Sequence, residues 1–237
     1  MYTKLSNIIN DISSILVPKL CFGCNTHLLG GEHLLCTSCR NDLPLTEYNF
    51  NVENPVDRIF YGRINIKKAN SFLFFTENGI VQQLIHHLKY KNQEKVGAFL
   101  GEWYGEIIKK NRFIDNIDLV IPVPLHPKKL RKRGYNQVTQ FGLQLATHLG
   151  AEFRSDVLLK TSNSRTQTKK GRLARWFDNK SLYTLSNTGI IEDKNILLVD
   201  DIITTGATIE MCAKALHESK NVNVFVASMA FVPLLYK

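Results

Sequence analysis

Two adjacent carboxylates, Asp200 and Asp201, stand between an apolar run and a turn rich in hydroxyls and glycine, within Ile196–Thr208. Ile196–Val199 predicts a buried strand. Ile209, Cys212, Ala213 and Leu216 recur at i, i+3, i+4 and i+7, the stripe of a helix. A strand–turn–helix unit of this kind turns main-chain N–H groups, and the positive end of a helix dipole, towards the turn. That is an anion site suited to phosphate. Thr204, Thr205 and Thr208 add hydroxyls beside the small Ala207, and Gly206 lets the backbone approach a ligand closely. Carboxylates just ahead of that cradle can accept hydrogen bonds from sugar hydroxyls. A phosphate on one side and a diol on the other describe a ribose 5-phosphate. Neither G-x-x-x-x-G-K-[ST] nor G-x-G-x-x-G occurs, so the P-loop and dinucleotide readings lack their motifs.

A second set of chemistry-bearing residues is Cys21-x2-Cys24-x11-Cys36-x2-Cys39. Two such knuckles can close a tetrahedral thiolate site on zinc, with Gly23, Gly30 and Gly31 supplying turns. Four thiolates leave no open position for a substrate, so the expected role is structural. A redox pair or a disulfide framework is the alternative, and two equal knuckles argue against a single redox motif. The fifth cysteine, Cys212, lies on the apolar helix face and fits a small core residue.

The charge is unevenly placed. The chain carries 30 Lys and Arg against 21 Asp and Glu, a net charge of +9. Residues 119–151 and 157–177 contain no acid but hold eleven of those basic residues. A partner with dense negative charge is implied; pyrophosphate and nucleic acid both qualify, and charge alone does not separate them. In the first window Pro122, Pro124 and Pro127 stiffen the turn after a strand, and Lys128, Arg131 and Arg133 follow. In the second, Arg165, Gln167, Arg172 and Arg175 make a cationic flap that could close over pyrophosphate.

These groups need a scaffold. Apolar stripes predict helices over 80–90, 96–108 and 138–149, and a short one over 1–16. Strand candidates are 71–75, 119–121, 157–159, 196–199 and 222–226. Strands alternating with helices predict an α/β fold with a mainly parallel sheet, whose ligands bind beyond the carboxyl ends of the strands. The expected organisation is an N-terminal helix and four-cysteine zinc module over 1–45, a connector over 46–69 and the α/β domain over 70–237. No repeat, low-complexity segment or apolar run of 18 residues occurs, so a soluble, cytoplasmic protein without a membrane span is expected.

The stretch Val199–Thr208 resembles the signature of type I phosphoribosyltransferases. The resemblance implies phosphoribosyl pyrophosphate (PRPP) with magnesium as ligand. Asp200 and Asp201 would then contact the ribose 2- and 3-hydroxyls, and residues 204–208 would hold the 5-phosphate. The string Pro122–Val123–Pro124–Leu125–His126, followed by Arg133–Gly134–Tyr135–Asn136–Gln137, is similar to the ComF family of competence proteins in particular. That likeness implies a pyrophosphate loop at Pro124, Lys128, Arg131 and Arg133, leaving open which arginine takes the pyrophosphate. It also implies a mobile loop carrying Arg165, Gln167 and Arg175, with Arg165 catalytic. Lys89–Tyr90 fits the family's Leu-Lys-aromatic element. The implied activity is Mg-dependent transfer of a phosphoribosyl group with release of pyrophosphate, linked to DNA uptake in natural transformation. The alternative is a non-catalytic PRPP sensor, or an adaptor for single-stranded DNA or a recombination protein.

Overall fold

A computed structural model describes residues 19–110, 114, 116–161, 182–186 and 188–233. The helix expected over 1–16 and the cationic segment with Arg165, Gln167, Arg172 and Arg175 lie outside the described residues.

The sheet has five parallel strands: β1 (Lys68–Phe74), β2 (Leu119–Pro122), β3 (Glu152–Phe153), β6 (Asn195–Ile203) and β7 (Asn223–Phe231), in the order β1-β7-β6-β2-β3. Parallel neighbours need crossovers, and helices supply them. Between β1 and β2 run α3 (Ile80–Tyr90) and α4 (Lys95–Ile108). Between β2 and β3 run α5 (Pro127–Arg133) and α6 (Thr139–Leu149), and between β6 and β7 runs α7 (Ala207–Leu216). β6 is central, and Ile196–Asp201 are all buried. A strand covered on both faces can be apolar without alternation, which is why Ile196–Val199 forms an unbroken hydrophobic run.

Two hydrophobic clusters lie against the two faces of the sheet. One joins α3, α4 and α6 through Leu84, Leu88, Leu100, Tyr104 and Phe141. The other joins α7 to β6 and β7 through Ile209, Cys212, Leu216, Leu198 and Val226. Cys212 is fully buried there, as its place on the apolar stripe predicts.

Several elements differ from the sequence expectation. The central strand continues through both carboxylates to Ile203, with Asp200 in register with Ser228, because β7 offers a full ladder as far as Phe231. The segment Leu158–Lys160 forms β4 but does not join the main sheet; it pairs antiparallel with β5 (Tyr183–Leu185), and both pack on α7. β3 and β5 are too short for any period to announce them. The connector is structured. α2 (Pro55–Arg58) opens with a capping box in which Asn54 and Asp57 cap each other, and the same two side chains bond the backbone of Ala69 at 2.9 and 2.7 Å. This pins the connector along edge strand β1. The basic run Pro127–Arg133 is itself a helix, started by Pro127 and ended at Gly134, and it buries no residue.

The cysteine segment contains α1 (Thr37–Asn41). Cys21, Leu35, Cys39 and Leu43 belong to the same core cluster as α3 and α4, and Phe22 stacks on His87 of α3 with ring centroids 4.2 Å apart.

Candidate functional site

The site begins at the carboxyl end of β6. The two-residue period of a strand sends Asp200 and Asp201 to opposite faces of the sheet. Asp201 faces α3 and α6. Its Oδ2 receives the Lys89 ammonium at 2.7 Å and the Gln137 amide at 2.9 Å, and its Oδ1 accepts from the Ile202 N–H at 2.7 Å. Asp200 faces α7 and the β4–β5 pair, and its Oδ1 accepts from the Asp201 N–H at 2.8 Å. Burial, reinforced by the Asp201 charge, pushes the Asp200 carboxyl up to about 8; the Asp201 N–H, Lys89 and Lys160 pull weakly the other way. Lys160 of β4 donates to the Tyr183 hydroxyl of β5 at 2.7 Å, and burial holds its amine below the usual lysine range.

The cradle follows at 204–208. Thr204, Thr205 and Ala207 are exposed and Thr208 is half-buried. The first-turn N–H groups of α7 have no intrahelical acceptors, as in any helix. Gly206 caps that turn with φ +73°. A Cβ there would stand 2.6 Å from Ile59 and 2.8 Å from Phe60. The glycine is therefore required by its left-handed backbone and by the connector packed behind it, where the sequence suggested ligand approach as the reason.

The basic segment lies beside the carboxylates. Gln137 reaches Asp201 as described, and Asn136 donates to the Val123 carbonyl at 2.9 Å, folding the segment back on its own strand. Pro124 is half-buried, whereas Lys128 and Arg131 are exposed on α5. The two arginines left open by the sequence are distinct here. Arg133 points inward, donating to the side-chain oxygen of Gln137 and lying 6.0 Å from the Tyr90 ring centroid. Arg131 faces solvent. Arg165, Gln167 and Arg175 lie outside the described residues.

Four positions were not singled out for these contacts by sequence. Lys89 was visible only as part of a Leu-Lys-aromatic element, and its partner is 112 residues away. Arg63 grips the cradle from the connector. Lys160 and Tyr183 approach Asp200 from a strand pair of which the sequence marked only the first member, at 157–159.

The cysteines form a second site. All five are free thiols, and the sulfurs of Cys21, Cys24, Cys36 and Cys39 lie within 4.8 Å of one another. Zinc–thiolate bonds of about 2.3 Å require tetrahedron edges of about 3.8 Å; Cys24 and Cys36 stand 3.7 Å apart. Main-chain N–H groups of Gly23 and Cys36 point at Cys21 Sγ from 3.4 and 3.2 Å, which favours thiolate charge. Gly23 leaves room for Cys39, whose Sγ would lie 2.9 Å from a Cβ. The donor set fits a tetrahedral metal. A cavity of about 490 Å³ lies away from the carboxylates, between the cysteine hairpin and α4, walled by Arg40, Phe99 and Trp103.

The phosphoribosyl transferase domain family matches residues 137–230. Competence protein ComFC of Bacillus subtilis (strain 168) is 26% identical over 204 residues, covering 84% of this chain and 78% of its own. Competence protein ComFC of Streptococcus pneumoniae (strain ATCC BAA-255 / R6) is 31% identical over 153 residues, 64% of each chain. Competence protein F of Haemophilus influenzae (strain ATCC 51907 / DSM 11121 / KW20 / Rd) is 26% identical over 139 residues, 57% of this chain and 61% of its own. The chain is thus a relative of the ComF proteins. It spans less than two thirds of the second and third of these relatives. Like them, it has a domain of the phosphoribosyltransferase type, with a four-cysteine cluster ahead of it. Among the described residues no helix is long and apolar enough to cross a membrane.

Proposed function

We propose that this relative of the ComF proteins binds phosphoribosyl pyrophosphate at the end of β6 and transfers its phosphoribosyl group, releasing pyrophosphate. One observation carries the reading: an aspartate pair, an open main-chain cradle at 204–208 and the exposed basic helix α5 converge on one end of the parallel sheet. Residues 204–208 would hold the 5-phosphate through first-turn N–H groups and threonine hydroxyls. Asp200 and Asp201 would accept from the ribose 2- and 3-hydroxyls, with Lys89 and Gln137 keeping Asp201 in place. Lys128 and Arg131 of α5 would meet the pyrophosphate, and Arg133 would orient Gln137. Arg165, Gln167 and Arg175 would close over the departing pyrophosphate. Hard oxygen donors at the carboxylate pair suit magnesium, which would neutralise pyrophosphate charge when bound. The four cysteines would hold a structural zinc, and the division near residues 45 and 69 would separate module, connector and transferase-type domain.

Calorimetric titration with PRPP, with and without magnesium, tests the binding, and pyrophosphate release with a panel of amine and nucleobase acceptors tests the transfer. Tight magnesium-dependent binding lost in Asp200→Asn, Asp201→Asn is the expected result. Unchanged binding or turnover in that double variant refutes the reading.

A second reading is supported by α5, which exposes Lys128, Lys129, Arg131 and Lys132 and buries no residue. Such a surface also suits single-stranded DNA or a DNA-handling partner, with the cradle kept as a sensor. DNA affinity that falls steeply with salt, and less steeply after charge removal at Lys132 and Arg133, would favour it. Binding that is absent or insensitive to salt would remove it.

A further inference from the structure

Arg63 stands in the segment expected to be a mere connector, yet it ties together three pieces of the cradle. Its Nη1 donates to the Thr205 carbonyl at 2.7 Å and to the Ile59 carbonyl at 3.0 Å. Its Nε donates to Glu210 Oε2 at 3.0 Å, and Nη2 pairs with the same oxygen. Thr205 belongs to the loop, Glu210 to the first turn of α7 and Ile59 to the end of α2. The neighbours of Ile59 complete the same wall, because Ile59 and Phe60 fill the space behind Gly206. A guanidinium holds its donors in a fixed planar fork, so it can set the spacing between a carbonyl and a carboxylate as an ammonium cannot.

Charge gives the brace a second effect. Glu210 is the acid of α7's first turn, where a helix would otherwise welcome an anion. Left bare, its carboxylate would repel an incoming phosphate. Arg63 covers it from the side.

We propose that Arg63 is a positioning residue of the phosphate cradle, fixing the main chain at Thr205 and neutralising Glu210 so that 204–208 can take the terminal phosphate of a sugar phosphate. The inference rests on the sugar–phosphate reading above and adds the element that shapes its phosphate end. It assigns the connector a working part in the site.

The test uses the full chain and two ligands, ribose 5-phosphate and inorganic pyrophosphate, titrated separately against wild type, Arg63→Gln, Arg63→Lys, Glu210→Gln and the Arg63→Gln, Glu210→Gln pair. Arg63→Gln should weaken ribose 5-phosphate about tenfold, the scale of one charged contact, while pyrophosphate changes less than about twofold. The double variant should recover part of the loss, the share that comes from the bare Glu210 charge, and Arg63→Lys should fall between wild type and Arg63→Gln. Equal loss of both ligands, no loss of either, or no recovery in the double variant overturns the proposal. A ligand-free arm separates it from the wider reading. Amide hydrogen exchange across 204–208 should quicken in Arg63→Gln and stay fast in the double variant, while β6 is unchanged. Unaltered exchange overturns the brace. Faster local exchange, in a protein whose wild type takes no sugar phosphate, leaves the brace standing and removes the sugar–phosphate reading.

Discussion

Replacing Asp200 by asparagine should stabilise the fold while abolishing ligand binding, and the stabilisation should grow with pH. Asp200 is 8% exposed, and its carboxyl is pushed up to about 8, first by burial and then by Asp201. Unfolded, it returns to about 3.9. Between those values the native state binds the extra proton, so wild-type stability falls as pH rises from about 4 to about 8. Each pH unit in that window costs about 1.4 kcal/mol for a group titrating alone, which sets an upper limit of about 6 kcal/mol. The proton is shared within a carboxylate pair, so only part of that slope belongs to Asp200. An asparagine keeps an oxygen for the Asp201 N–H and cannot ionise. The variant should therefore exceed wild type by less than about 1 kcal/mol near pH 5 and by about 2–3 kcal/mol near pH 8. Urea denaturation at pH 5, 6, 7 and 8 reads the difference directly. Parallel pH profiles, or a variant less stable than wild type at pH 8, would refute the reasoning that burial of this carboxylate beside a second one costs stability.

Other consequences follow from single contacts. Gly206→Ala should lose about 1–3 kcal/mol, because its Cβ meets Ile59 and Phe60 and its φ is positive; urea midpoints measure this, and an unchanged midpoint contradicts the packing. Lys89→Met removes the cation from Asp201 Oδ2; with Lys89 22% exposed, a loss of about 1–3 kcal/mol is expected by the same assay, below the range for fully buried pairs. Tyr104→Phe should be neutral or stabilising by about 1 kcal/mol, since the fully buried hydroxyl finds no hydrogen-bond partner among the described residues; a clear loss in thermal midpoint would show a missed partner. Elemental analysis should find one zinc per chain. Its chelation should lower the thermal midpoint, because Cys21 and Cys39 belong to the core shared with α3 and α4; metal-free protein of equal stability would contradict this.

Much of the site was legible because it is local. The aspartates, the threonines and Gly206 fall within nine consecutive positions, and the helix stripe after them predicts a dipole that would suit a phosphate. The cysteine spacing was legible for the same reason, since each knuckle closes within four residues and the sulfurs do converge. Strand ends were less legible. β6 runs to Ile203 because its neighbour β7 supplies hydrogen bonds, and a ladder partner leaves no mark in a strand's own residues. β3 and β5, of two and three residues, are too short to carry a period.

Local order thus settled what kinds of group are present: a carboxylate pair, a threonine- and glycine-bearing turn at a helix start, a cysteine quartet and two acid-free basic windows. Tertiary structure alone decided which groups touch. It set Lys89 on Asp201, Lys160 beside Tyr183 and Arg63 on Thr205, and it turned Arg133 inward while Arg131 stayed exposed. The reason is range. A helix or strand is encoded by neighbours a few residues apart, whereas an ion pair spanning more than a hundred residues depends on how the sheet stacks its helices, and no single segment carries that information.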